Sequence, residues 1–355
     1  MDKRLFVKGN EAVCMGAIAA GCRYYFGYPI TPQNEIPEFM SRELPPLGGT
    51  FLQAESEVAA INMVLGASAA GARVMTSSSG PGISLKAEGL SYLAGSELPA
   101  VIVNMMRCGP GLGGIDVSQA DYFQAVKGAG HGGYRMVVLA PNSIQELYDL
   151  AIVAFDLADR YRMPAFILGD AMIGQMKEAL IPHPYAPASD LPAKDWAVTG
   201  KHGRSKGNTL KSLYLKDGAL EAHNWMLQDR YRQLQQHEVR CETEGLDDAE
   251  LIVTAFGSTA RIAKTAVRMA REAGLKVGLI RPITVFPFPE QIFRQATERC
   301  RKVLCIELNA GQMVEDVRLS VDRQADVRFY GRPGGTGSLP TPEELFEQLQ
   351  KHYKD

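Results

Sequence analysis

The sequence predicts an α/β fold: an open, largely parallel sheet covered by helices on both faces, followed by a smaller α/β domain. Three observations predict it. From the start to about residue 178, short apolar runs alternate with stretches of helical period, the pattern of a parallel sheet buried on both sides. After about residue 182 the chain becomes rich in Pro, His, Lys and Gln, and beyond 247 the alternation resumes. At 355 residues the chain exceeds one ordinary core, so two domains are expected, each able to fold without disulfides or metals. We place the divisions at 1–181, 182–247 and 248–355, the middle part being an extended crossing segment that contains one helix.

Taken in order, "NEAVCMGAIAAG" has helical spacing with Asn10 as a candidate N-cap, and "CRYYFGYP" is a strand. "TFLQAE" is the next strand and runs into the helix "SEVAAINMVLGASAAG"; "RVMTSS", "PAVIVNMM", "RMVVLAP" and "PAFILGD" follow as strands. The amphipathic helix "SIQELYDLAIVAFDLADRY" precedes the last of these. "IPHPYAPASDLPAKDW" is extended, because proline blocks helix and ladder alike, and "GALEAHNWMLQDRYRQLQQ" is the helix of the crossing segment. In the last part "LIVTAF", "KVGLIRP" and "KVLCIEL" are strands separated by one helical stretch each, a βαβ arrangement.

Charge is nearly balanced, with 38 basic and 40 acidic side chains, so no net field favours nucleic acid or an anionic membrane. No apolar run reaches the roughly 18 residues that span a bilayer. The start, "MDKRLFVKGNEAV", lacks the apolar core of a signal peptide, and a cytoplasmic protein is expected. Cys14, Cys22, Cys108, Cys241, Cys300 and Cys305 are scattered, without the paired spacing that holds zinc or an iron–sulfur cluster. They read as buried thiols, and no metal site is expected on this chain.

Ligands of open α/β sheets settle beyond the carboxyl ends of the strands, and those ends are unusual here. In "YPITP", Pro29 and Pro32 restrict the backbone on either side of Thr31, so its hydroxyl meets a ligand at little ordering cost; a turn in which Thr31 caps a helix starting at Pro32 is the alternative. Glu55 and Glu57 lie where a strand passes into a very apolar helix. A carboxyl turned into the sheet end is shielded from water and shares a proton with a ligand nitrogen; an acid in a first turn also simply complements the helix dipole. Arg107 ends a strand ahead of a glycine-rich loop, a placement suited to clamping a carboxylate or to a solvated side chain. "TSSSGPG" offers hydroxyls and backbone N–H groups ahead of another helix. "GPGLGG" lies four strands into the sheet and lacks the following acid of a dinucleotide fingerprint, and His131 in "GAGHGGY" is a loop histidine within reach of a ligand.

Together, "YPITP", "QAESEVAAINMVLGASAAGARVMTSSSGPG" and "VNMMRCGPG" closely resemble the α subunit of the 2-oxoacid:ferredoxin oxidoreductases, which use thiamine diphosphate. The likeness runs through the whole first domain, and "GLIRPITVFPFP" resembles the matching stretch of that family's second, transketolase-C-terminal-like domain. Among the branches, "GCRYYFGYPITPQNEIPEFMSRELP" and "GGTFLQAESEVAAINMV" are most similar to the branched-chain (3-methyl-2-oxobutanoate) enzyme, with the 2-oxoglutarate enzyme next. The resemblance implies a pyrimidine-type thiamine-diphosphate-binding first domain in which Glu57 hydrogen-bonds the cofactor's ring nitrogen and so activates it. It also implies that Thr31 and Ile30 contact the substrate, that Arg107 pairs with its carboxylate, and that Tyr28, Pro29 and Ser79 join Glu57 at the cofactor.

The chain carries no GDG…N segment for magnesium and diphosphate. By the resemblance, a β subunit supplies magnesium, diphosphate binding and an iron–sulfur cluster, a γ subunit and a ferredoxin-like δ subunit complete the assembly, and thiamine diphosphate is shared across the α/β boundary. The expected reaction converts a 2-oxoacid and coenzyme A to acyl-CoA and CO₂ while reducing ferredoxin. A non-catalytic scaffold that kept the fold and lost the site is the competing class, and an NAD-dependent dehydrogenase a more distant one.

Overall fold

The computed structural model describes residues 4–335, 337 and 339–354. Strand β1 (Leu5–Lys8) runs straight into helix α1 (Gly9–Ala19). Then come β2 (Tyr24–Gly27), α2 (Glu35–Glu43), β3 (Thr50–Gln53), α3 (Glu57–Ala69), β4 (Val74–Ser78), α4 (Pro81–Gly95) and β5 (Ala100–Met106). A short α5 (Tyr122–Val126) precedes β6 (Val137–Leu139), α6 (Ile144–Tyr161), β7 (Pro164–Asp170), α7 (Ala171–Gln175) and β8 (Lys177–Leu180). The crossing segment contains α8 (Ala219–His237). Next are β9 (Cys241–Glu244), β10 (Leu251–Thr254), α9 (Gly257–Glu272), β11 (Val277–Pro282) and β12 (Thr284–Phe286). The chain closes with α10 (Glu290–Arg299), β13 (Lys302–Glu307), α11 (Met313–Ser320), β14 (Asp326–Gly331) and α12 (Pro342–Lys354).

The first sheet has seven strands in the order β12-β6-β7-β5-β4-β2-β3, all parallel except β12, which runs antiparallel to β6. Its central strands β4, β5 and β7 are buried along their whole length, as the helices on both faces require. The second sheet has five strands in the order β14-β13-β10-β11-β9, with β9 antiparallel at one edge. A separate two-stranded ribbon pairs β1 with β8. Two short strands cross the expected divisions: β9 lies before 248 yet completes the second sheet, and β12 lies after it yet extends the first. Both are edge strands, where three or four residues add to an existing ladder without an alternating pattern of their own.

One expectation is corrected. Asn10 does not cap α1; Lys8 stands at the N-cap, and its backbone N–H donates to the Glu11 carboxylate at 2.9 Å. Because β1 leads directly into the helix, the cap falls two residues earlier, and Asn10 turns inward, fully buried. Ser56 and Ser143 do cap α3 and α6 through their side chains.

Candidate active site

The parallel strands β2, β3, β4 and β5 point their carboxyl ends to one edge of the first sheet, and the four following loops meet there. Glu57 is the first residue of α3. It is buried at 6% exposure, because α4 starts directly against it. A β-carbon at Gly82 would lie 2.6 Å from Oε1 of Glu57 and 2.1 Å from Oγ of Ser78, so only glycine allows this approach. Glu55, two residues earlier, is exposed.

The loop after β2 is pinned by its backbone. The Pro32 carbonyl accepts from Asn10 Nδ2 and Gln175 Nε2, both at 2.8 Å, and the Thr31 carbonyl accepts from Arg107 Nη1 at 3.0 Å. Gln33, fully buried, accepts from Ser77 Oγ and donates to the Tyr28 carbonyl at 3.4 Å; Tyr25 meets the same Ser77 hydroxyl at 2.6 Å. The Thr31–Pro32 peptide is cis. Helix α2 begins only at Glu35 with Asn34 at its N-cap, so Thr31 does not cap a helix. Its side chain is exposed on a fixed backbone, with Pro29 exposed and Tyr28 and Ile30 half-buried beside it.

Arg107 is 7% exposed at the end of β5. Besides the Thr31 carbonyl it donates to the Leu112 carbonyl through Nη2 at 3.2 Å, and its Nε finds no partner within the chain. With five N–H donors in a guanidinium, a planar anion still finds free donors. Asp121 lies close enough for the Arg107 charge to act on it; burial raises its pKa, opposed by a 2.9 Å hydrogen bond from Asn104 and by Arg107. At the end of β4, the hydroxyls of Ser78 and of Ser79 in the next turn are buried and also without partners.

Sequence reasoning therefore named residues that converge: Glu57 against the β4–α4 turn with Ser79, and Arg107 against Thr31. The hydroxyl of Ser78 belongs to the "TSSSGPG" stretch it singled out, but it did not find Gln33, Asn104, Asp121 or Lys86, the last a fully buried lysine on α4. A polar residue inside an otherwise apolar helix face is the signal that marks Lys86, since an uncompensated buried charge is costly. Ile115 is 60% exposed and Val117 half-buried, its carbonyl accepting from the Cys108 thiol at 3.2 Å. His131 is exposed on a separate cleft of about 730 Å³, lined also by Tyr134, Tyr214, Leu220 and His223, and no residue of the strand-end cluster takes part in it. All six cysteines are free, five buried and Cys241 half-buried. Among the described residues there is no group of three or more His, Cys, Asp or Glu that could hold a metal, and no helix is long and apolar enough to cross a membrane.

The orphaned atoms test whether a cofactor fits. A shielded carboxyl, two unpartnered buried hydroxyls and a guanidinium with free donors are complementary to a nitrogen-rich ring and a small acid. With this donor set at the strand ends of an open α/β sheet, the class is given by the family match: a thiamine-diphosphate-binding α/β chain. Residues 15–243 match the family described as pyruvate flavodoxin/ferredoxin oxidoreductase, thiamine diphosphate-binding, and residues 249–345 match pyruvate:ferredoxin oxidoreductase core domain II.

The chain is 53% identical over 329 residues to the ketoisovalerate oxidoreductase subunit VorB of Methanothermobacter marburgensis, with 93% of each chain covered. It is 37% identical to the 2-oxoglutarate synthase subunit KorA of Methanocaldococcus jannaschii, covering 96% of this chain and 97% of that one. The 2-oxoglutarate:ferredoxin oxidoreductase from Magnetococcus marinus, solved with 2-oxoglutarate, coenzyme A and succinyl-CoA bound, superposes with a TM-score of 0.86 at 26% identity, over 99% of this chain. The chain spans 66% of the length of that relative. It belongs to the 2-oxoacid:ferredoxin oxidoreductase family and is an oxidoreductase subunit of that family.

Proposed function

We propose that this chain is the pyrimidine-binding subunit of a cytoplasmic enzyme that oxidatively decarboxylates 3-methyl-2-oxobutanoate with coenzyme A, releasing acyl-CoA and CO₂ and reducing ferredoxin. The observation that carries the site is Glu57, shielded from water at the junction of α3 and the β4–α4 turn. The greater identity to a ketoisovalerate subunit than to a 2-oxoglutarate subunit supports the substrate. The partner subunits expected are a β subunit with magnesium and a cluster, a γ subunit and a ferredoxin-like δ subunit. Exposed apolar side chains flank the site residues in sequence, namely Leu52, Val58, Leu85, Leu112 and Ile115, and an apolar rim of this kind suits a covering chain.

When bound, thiamine diphosphate supplies the nucleophilic carbon and the electron sink that decarboxylation of a 2-oxoacid needs. Glu57 holds its ring nitrogen in a hydrogen bond that water does not contest. Tyr28, Pro29 and Ser79 shape the wall around the ring. Arg107 binds the substrate carboxylate, and Thr31 with Ile30 orients the keto group, so that the bond to be cleaved is aligned before CO₂ departs. Because Arg107 also holds the Thr31 carbonyl, the two substrate contacts are set relative to each other by one hydrogen bond.

The test is turnover of the complex co-expressed with its partner subunits. The expected result is a higher kcat/KM for 3-methyl-2-oxobutanoate than for 2-oxoglutarate; a preference for 2-oxoglutarate overturns the substrate assignment, and full activity of the isolated chain overturns the shared-site reading.

A further inference from the structure

Lys86 has no access to solvent, and its ammonium finds no hydrogen-bond partner in the chain. On α4 it lies between Gly82 and Gly89, and these glycines are where α4 touches α3. A β-carbon at Gly82 would lie 2.6 Å from Oε1 of Glu57, and one at Gly89 would lie 2.5 Å from Cγ1 of Ile61. Residues 82, 86 and 89 therefore share the face of α4 that packs on Glu57 and Ile61. A long helical side chain leans toward the N-terminus of its own helix, so the Lys86 stem runs from the level of Ile61 toward that of Glu57.

Glu57 is the charged group that acts on Lys86. The other charged side chains around this end of the sheet have different neighbours. Arg107 donates to the Thr31 and Leu112 carbonyls, Asp121 accepts from Asn104, Glu88 on α4 accepts from Tyr92, and Glu55 is exposed. Burial pulls the Lys86 pKa down to about 8, with the Glu57 charge opposing it. An unpaired buried ammonium weakens a fold, and an apolar residue of similar volume avoids the penalty. Packing therefore does not account for a lysine here, whereas its carboxyl neighbour does.

We propose that Lys86 is a positioning residue, the internal counter-ion of Glu57, which keeps Glu57 a carboxylate so that the proton of its hydrogen bond to the cofactor's pyrimidine stays on the ring nitrogen. This rests on the assignment of Glu57 above. One proton is at issue: Glu57 without its counter-ion takes that proton from the ring nitrogen, and with Lys86 protonated it does not.

The experiment uses the complex assembled with its partner subunits, carrying Lys86→Met or Lys86→Arg. The carboxyl band of Glu57 is isolated by infrared difference against the same complex carrying Glu57→Gln, with and without thiamine diphosphate, across a pH series. Lys86→Met moves the pH at which the Glu57 band changes upward by at least about one unit, and the acid limb of turnover with it; Lys86→Arg leaves the band as in the wild type. An unmoved Glu57 band in Lys86→Met overturns the proposal. If Lys86→Met does not assemble, Lys86→Arg decides: its permanent charge carries the alkaline limb of turnover to higher pH, and an unchanged limb overturns the proposal. Full turnover by Glu57→Gln instead removes the catalytic assignment of Glu57, and the infrared result distinguishes that failure because it is read without turnover.

Discussion

At position 57 a carboxylic acid opens a helix yet is closed off from water by the turn that begins the next one. A helix dipole alone explains an acid in a first turn but not its burial, and the burial is what suits it to hold a ring nitrogen. Replacing Glu57 by Gln in the assembled complex should lower kcat by about 10²- to 10⁴-fold, the usual contribution of a positioned proton-transfer group, while leaving subunit assembly unchanged in gel filtration. Arg107 does two things at once, anchoring the Thr31 carbonyl and offering free donors. Arg107→Lys should raise KM for the 2-oxoacid by about ten- to a hundredfold, the loss expected when a hydrogen bond to a charged group worth ~1.5–3 kcal/mol is broken. Both residues were legible in the sequence as residue types at strand ends. Gln33 was not, because its role depends on Ser77 and Tyr28, which only the folded loop brings to it.

Between elements, the α3–α4 contact sets the geometry of the site. Gly82→Ala would place a methyl group 2.1 Å from Ser78 Oγ and 2.6 Å from Glu57 Oε1. It should destabilise the chain by about 1–3 kcal/mol as overpacking does and weaken thiamine diphosphate binding, both measurable by denaturation and titration. Gly66→Ala on α3, where nothing lies within 4 Å, should instead stabilise by about 0.5–1 kcal/mol through helix propensity. Lys86 in the same interface carries a pH signature. Its folded pKa, near 8, lies below the ordinary lysine value of 10.5, so the folded state sheds this proton before the unfolded state does. The penalty of burying the charge is in full force below pH about 8 and is relieved between about 8 and 10.5. Relative to Lys86→Met, the wild-type denaturation midpoint should therefore rise with pH across that window; a constant difference counts against the assignment. Helices α1, α3, α6 and α8 and the central strands were readable from period alone, whereas α2, α11 and α12 were not identified, and β1, β8, β9, β12 and β14 are short or at sheet edges and become strands through their partners.

Across the whole molecule, the loop that follows Arg107 is fastened to the second sheet's domain. The Gln119 N–H donates to the Leu308 carbonyl at 2.8 Å, its side chain donates to the Phe256 carbonyl at 2.8 Å and accepts from Thr259 at 2.8 Å, and Asn309 Nδ2 donates to its carbonyl at 2.9 Å. Arg281, 2% exposed, grips Glu146 through both terminal nitrogens, at 2.9 and 2.7 Å. Gln119→Ala should cost about 1–3 kcal/mol through the buried groups it leaves unpaired and, if Arg107 binds the substrate as proposed, raise KM more than it lowers kcat, because the loop that follows Arg107 loses its anchor; unchanged kinetics would separate the two domains functionally.

By itself the sequence determined the layered α/β class, the strand ends that gather at one edge of the sheet and the family, since these depend on local periodicity and on motifs contiguous in the chain. Tertiary structure alone decided that Glu57 is dry, that a buried lysine stands beside it, and that the second domain holds the Arg107 loop. Burial and charge pairing arise from residues far apart in the chain, and no local pattern encodes the distance between them.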